Sequence, residues 1–173
     1  MENNRFIILV IICLATHVIR TIYEILKHQN RIKATKTSFV IVFTNMLLLW
    51  ASWFGLCASD PYSFEMPGLV EYLGIALVAV GVLLFIIALL TIKSLESYEG
   101  DLITKGIYSR IRHPMYLAFI LWLIGLPVFY SAPVSMALAI LLIINVMYWR
   151  HLEEIELLER YTAYREYRRT TIF

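Results

Sequence analysis

The 173-residue chain is 60% hydrophobic and 16% charged, with a mean hydropathy of +0.72 and a formal net charge of +2. Soluble domains are roughly half apolar with about a quarter of their residues charged, so this composition excludes an ordinary cytosolic enzyme and a disordered chain. A net charge this small offers no field for a polyanion, which excludes a nucleic-acid partner and leaves the position of the 15 Lys and Arg as the informative quantity.

A helix needs about 20 apolar residues to cross the hydrocarbon core of a bilayer. Residues 6–26, 39–58 and 69–92 each supply such a run. The first is read as a retained helix rather than a signal peptide, because only Arg5 precedes it and four basic residues follow. A fourth apolar stretch, 115–149, is too long for one span and is interrupted by Tyr130-Ser131-Ala132-Pro133. A residue before proline leaves the helical region, so the stretch predicts two helices of about 17 residues joined by a tight turn, at the lower limit for spanning. The expectation is an all-α integral membrane protein: five transmembrane helices, the last two a hairpin, then a cytoplasmic amphipathic helix. It forms a single membrane domain over 1–173, with three N-terminal helices in 1–92 and the functional segments in 93–173. Cys13 and Cys57 lie in apolar runs without metal-ligand spacing and read as packing residues.

Orientation follows from the basic residues. Lys27, Arg31, Lys33, Lys36, Lys93, Lys105, Arg110, Arg112, Arg150, Arg160, Arg165, Arg168 and Arg169 all fall on one side, against Arg5 on the other. This predicts an external N-terminus and a cytoplasmic C-terminus. Arg20, near the inner end of the first helix, reads as a side chain reaching for the interface.

The polar residues gather in two places. In the segment 100–116, Pro114 suits the first turn of a helix, and the following amides of Met115, Tyr116 and Leu117 are expected to lack intrahelical acceptors, forming an anion site beside Arg112 and His113. The segment 150–160 places Arg150 one turn before Glu154, with Glu153 adjacent. The hairpin brings the two segments together. Anion-binding amides, two carboxylates, an arginine and tyrosines suit a zwitterionic cofactor with a positive centre, such as S-adenosylmethionine.

Gly106-Ile107-Tyr108, then Arg112-His113-Pro114-Met115-Tyr116, then about 35 largely apolar residues, then Glu153-Glu154 resembles the signature of the isoprenylcysteine carboxyl methyltransferase and phospholipid methyltransferase superfamily. The resemblance covers residues 100–173. It implies S-adenosyl-L-methionine contacts at Gly100, Asp101, Leu102, Ile103, Tyr108, His113, Pro114, Met115, Tyr116, Glu153 and Glu154, with Arg150 orienting the substrate and no metal. Members commonly carry histidine at the position of Gly100, and after the glutamates they show Phe-Gly followed by Tyr-x-x-Tyr, where this chain has Tyr161-Thr162 before Tyr164 and Tyr167, one residue closer. The implied reaction moves a methyl group from a sulfonium to a lipidic or prenylated acceptor within membrane lipid. The expected acceptor is an isoprenylcysteine-like carboxylate, with a phospholipid amine or a thiol as alternatives; for an amine, His113 or His151 is a candidate proton acceptor. Two competing readings are an NADPH-dependent membrane reductase, a class that shares Arg-His-Pro-x-Tyr but usually has Asn at the position of Met115, and a non-catalytic membrane scaffold.

Overall fold

The structure is a computed structural model that describes residues 2–32, 35–92 and 101–173. Its elements are α1 (Glu2–His28), α2 (Lys36–Cys57), α3 (Gly68–Ile92), a 3₁₀ turn (Gly106–Ser109), α4 (Pro114–Phe129), α5 (Pro133–Arg160) and α6 (Tyr164–Thr170). Among the described residues there is no strand, only an isolated bridge between Ile111 and Ile172.

Local chemistry fixes the boundaries. Thr35 caps α2 in a reciprocal capping box with Ser38. Asp60 accepts from the Ser135 amide and hydroxyl, both at 2.8 Å, closing the N-terminus of α5, where Pro133 begins the helix. Between α4 and α5, Ser131 adopts a φ of 51°, and the Ala132 amide donates back to the Pro127 carbonyl, so three residues reverse the chain as the Tyr-Ser-Ala-Pro segment predicts.

Among the described residues, four helices, α1, α2, α3 and α5, are long and apolar enough to cross a membrane. The expected fifth, α4, has only 16 residues and reaches about 24 Å at 1.5 Å per residue, short of a hydrocarbon core of about 30 Å. The two arms of the hairpin are therefore unequal: α5 runs for 28 residues without a break through the charged segment 150–160. The amphipathic segment continues from the fifth helix as the end of α5 and is followed by the short α6.

The helices turn much of their apolar surface outward, as at Ile8, Leu69 and Leu90, a pattern suited to lipid rather than water. Where lipid is as apolar as the side chains, close packing supplies much of the association. In the α3–α4 pair, a Cβ on Gly74 would stand 2.5 Å from the Phe129 amide nitrogen, and one on Gly125 would stand 2.7 Å from the Gly74 carbonyl. Glycine at both positions lets the backbones meet.

The core gathers Leu49, Trp53, Leu56, Leu123, Val146 and Trp149. Cys13 and Cys57 are buried and free, as packing residues should be. Polar ties join α1 to its neighbours: Asn45 donates to the Thr16 carbonyl, Trp149 Nε1 donates to Thr21 Oγ1 at 2.9 Å, and the His17 ring stacks on Trp149.

Candidate active site

His113 is the N-cap of α4, and its carbonyl accepts from the Leu117 amide at 3.1 Å. The expected trio of open amides is thereby reduced to Met115 and Tyr116, because Leu117 is the first residue far enough along to bond back to the cap. The preceding strip is held by the C-terminal tail: the Arg112 amide donates to the Ile172 carbonyl, and the Ile172 amide to that of Arg110.

Glu154 is buried at the meeting of α4, α5 and α6. Its Oε1 lies 3.2 Å from His113 Nε2, 3.3 Å from Arg112 Nε and 3.6 Å from Arg150 Nη2, while Oε2 lies 3.6 Å from Arg168 Nε. Tyr164 Oη is 3.3 Å from the same His113 nitrogen. Arg112 also donates to the Thr171 carbonyl at 2.6 Å and to that of Arg168 at 2.9 Å. One carboxylate thus joins cationic or hydrogen-bonding groups from three elements, an arrangement that offsets the cost of burying it.

Glu153, one residue earlier, faces elsewhere. It lies close enough for its charge to act on Tyr116 and lines a partly open cavity of about 680 Å³, within the roughly 300–1,000 Å³ typical of small-ligand sites. At the polar end of that cavity stand Arg20, Glu24 and Lys27 of α1, with Glu153 and Glu156 of α5. Its apolar wall is formed by Phe43, Met46, Trp50, Phe54, Phe85 and Trp122. The first turn of α4, from His113 to Tyr116, and the loop residues Leu102, Ile103 and Tyr108 also border it.

Most of the expected site residues therefore converge: Leu102, Ile103, Tyr108, His113, Pro114, Met115, Tyr116 and Glu153 share the cavity wall. Gly100 lies outside the described residues, and Asp101 is exposed. Glu154 and Arg150 stand behind the wall rather than in it, since a helix turns about 100° per residue. The Arg150 guanidinium lies 4.6 Å from the centre of the Phe173 ring. His151 is exposed.

Sequence reasoning missed the contribution of α1. Arg20, read from sequence as reaching for the interface, has a side chain that is 14% exposed, pairs with Glu24, and borders the cavity. Sequence reasoning also missed Arg168 and Thr171, because their contacts to Arg112 across 56 and 59 residues leave no local spacing signal.

Tyrosines surround the site from the loop and tail. Burial pushes the Tyr108 and Tyr164 hydroxyls well above the usual range, with Glu153 and Glu154 respectively adding to the effect. Burial raises Tyr167 to about 12 against the opposing pull of Arg112. All three stay protonated near neutrality, and Tyr164 donates to Glu154 Oε1 at 3.5 Å. Tyr167 donates to the Tyr108 carbonyl at 2.5 Å, tying α6 to the loop.

No curated protein and no solved structure gives a significant match to the chain. The family model for phospholipid methyltransferases matches residues 69–164, more than half of the sequence, beginning in α3 and ending at the buried Tyr164. That span carries the loop, the His-Pro-x-Tyr turn and both glutamates, and so the chain belongs to the phospholipid methyltransferase family, within the superfamily it shares with the isoprenylcysteine carboxyl methyltransferases.

Proposed function

We propose that the protein transfers a methyl group from S-adenosylmethionine to the amine headgroup of a phospholipid. The observation that carries this reading is the two-part cavity, with carboxylates Glu24, Glu153 and Glu156 at one end and an aromatic, apolar wall at the other. An ammonium headgroup suits the first part and acyl chains suit the second.

The wall also fits the cofactor. Its positive centre would meet the Tyr116 and Tyr108 rings and the Glu153 carboxylate, and its own carboxylate would meet the open amides of Met115 and Tyr116 at the positive end of α4. When bound, the cofactor supplies an electrophilic methyl group on sulfur. Leu102, Ile103 and Tyr108 close one side against water. Glu153 and Glu24 hold the lipid ammonium, and a carboxylate oxygen takes the nitrogen's proton toward solvent as the neutral amine becomes the nucleophile. The barrier falls chiefly through alignment of nitrogen, methyl and sulfur. Glu154 is a positioning residue here: it fixes His113 and Arg112 and hence the first turn of α4.

The isoprenylcysteine carboxylate expected from the sequence rested on Arg150 as the anion holder. With Arg150 paired to Glu154 and stacked on Phe173, the amine is the better-supported acceptor. The cytoplasmic orientation inferred from the basic residues puts the polar end of the cavity where a soluble cofactor is available.

The test is to incubate membranes containing the protein with methyl-labelled S-adenosylmethionine and extract the lipid. Base-stable label in a phospholipid is expected. Base-labile label would mean an ester and a carboxylate acceptor.

A further inference from the structure

We propose that Arg20 on α1 is the specificity residue of the acceptor site, holding the oxyanion of the lipid headgroup. The proposal rests on the reading of the cavity as the site of a lipid acceptor.

A guanidinium within an otherwise apolar helix is expensive, and here it is not fully compensated. Arg20 pairs with Glu24 one turn later and lies with its guanidinium carbon 5.5 Å from the centre of the Tyr23 ring. Its Nε is buried and has no hydrogen-bond partner. A guanidinium carries five donors in a planar fork, and a single carboxylate does not exhaust them. The Nε is sealed within the protein, but the side chain borders the cavity at its polar end and is 14% exposed, so the open part of the fork can meet an occupant.

The charge around it is mixed, with Glu24, Glu153 and Glu156 beside Lys27. Lys27 is committed to Glu156 at 3.5 Å, and Glu24 feels Arg20, Lys27, Glu153 and Glu156 together. Arg112 is committed to Glu154 and the tail carbonyls. Arg20 is thus a cation in the wall with donor capacity left over, near the carboxylates assigned to the ammonium. A headgroup carrying an oxyanion close to its methyl-accepting atom matches that charge order, and the planar fork suits bidentate recognition of a phosphate or a carboxylate.

The location supports a role in specificity. Arg20, Glu24 and the α2 residues of the apolar wall lie outside residues 69–164, the span that matches the family. Cofactor-facing residues fall inside the span and Arg20 outside it, so acceptor choice can vary independently of cofactor binding.

The test uses the full chain in detergent and reads binding through the fluorescence of Trp50 and Trp122, which line the cavity. A short-chain phosphatidic acid and a short-chain fatty carboxylate serve as amine-free probes of the two oxyanion sources. Wild type is expected to bind at least one of them, Arg20→Gln about tenfold or more weakly, and Arg20→Lys in between. In vesicles containing phosphatidylethanolamine, Arg20→Gln is expected to raise the acceptor KM about tenfold with kcat and cofactor affinity little changed. Equal probe binding by wild type and Arg20→Gln, or none by wild type, overturns the proposal. Arg20→Lys, which retains the charge, guards against a folding defect. Absence of methyl transfer by a wild type that still distinguishes the probes would instead overturn the proposed function and leave the Arg20 site standing.

Discussion

Glu153 and Glu154 are neighbours on α5 that serve different surroundings: Glu153 lines the cavity beside Tyr116, while Glu154 Oε1 lies 3.2 Å from His113 Nε2 behind the wall. In the proposed reaction Glu153 does the chemistry and Glu154 supports it. Glu153→Gln is expected to leave the thermal midpoint within a degree or two of wild type while slowing methyl transfer by about 100-fold or more, the scale of a lost proton acceptor.

Glu154→Gln should behave in the opposite order. Removing one partner from a buried charge cluster costs about 3 kcal/mol, and Arg112, Arg150 and Arg168 would all lose their shared carboxylate. A fall in the melting temperature in detergent of roughly 5–10 °C is expected, with weakened cofactor binding following from the disordered first turn of α4. A variant as heat-stable as wild type would deny Glu154 its positioning role.

The sequence made the helices legible because length and apolarity suffice for that, and it made the meeting of His113 with Glu154 legible because a tight hairpin leaves little choice. It did not separate the two glutamates by role, since adjacency in sequence hides a rotation of about 100°. Nor did it reveal Arg20: a lone arginine near a helix end has an ordinary explanation, and only the packing of α1 beside α5 turns it into a cavity residue. The 16-residue length of α4 was half visible, in the expectation that the hairpin arms sit at the spanning limit.

Packing of α3 on α4 depends on absent side chains. Gly74→Ala and Gly125→Ala each insert a methyl group against backbone atoms closer than 3 Å, and overpacking of this kind costs about 1–3 kcal/mol. Gly68→Ala, where nothing lies within 4 Å, is the control. Thermal unfolding should rank Gly68→Ala near wild type and the other two below it.

The Phe173 ring covers the Arg150 guanidinium at 4.6 Å. Phe173→Ala is expected to cost about 0.5–1 kcal/mol, measurable as a small loss of thermal stability. Because Arg150 stays paired to Glu154, acceptor KM should be unaffected; a large rise in it would return Arg150 to the role of substrate holder.

Alkaline stability follows from the tyrosines. Tyr167 has an ordinary value of 10.0, raised to about 12 by burial, so the folded state keeps a proton that the unfolded state releases. The contribution is complete below about pH 10 and is lost as pH rises toward 12. Unfolding by base should steepen in that window, and Tyr167→Phe should flatten the dependence there.

Methyl transfer to lipid is read with purified protein in vesicles containing phosphatidylethanolamine, with methyl-labelled S-adenosylmethionine. Base-stable label in the lipid fraction with wild type, sharply reduced with Glu153→Gln, is the predicted result. Cofactor binding without any label entering lipid, or transfer that Glu153→Gln leaves intact, would contradict it.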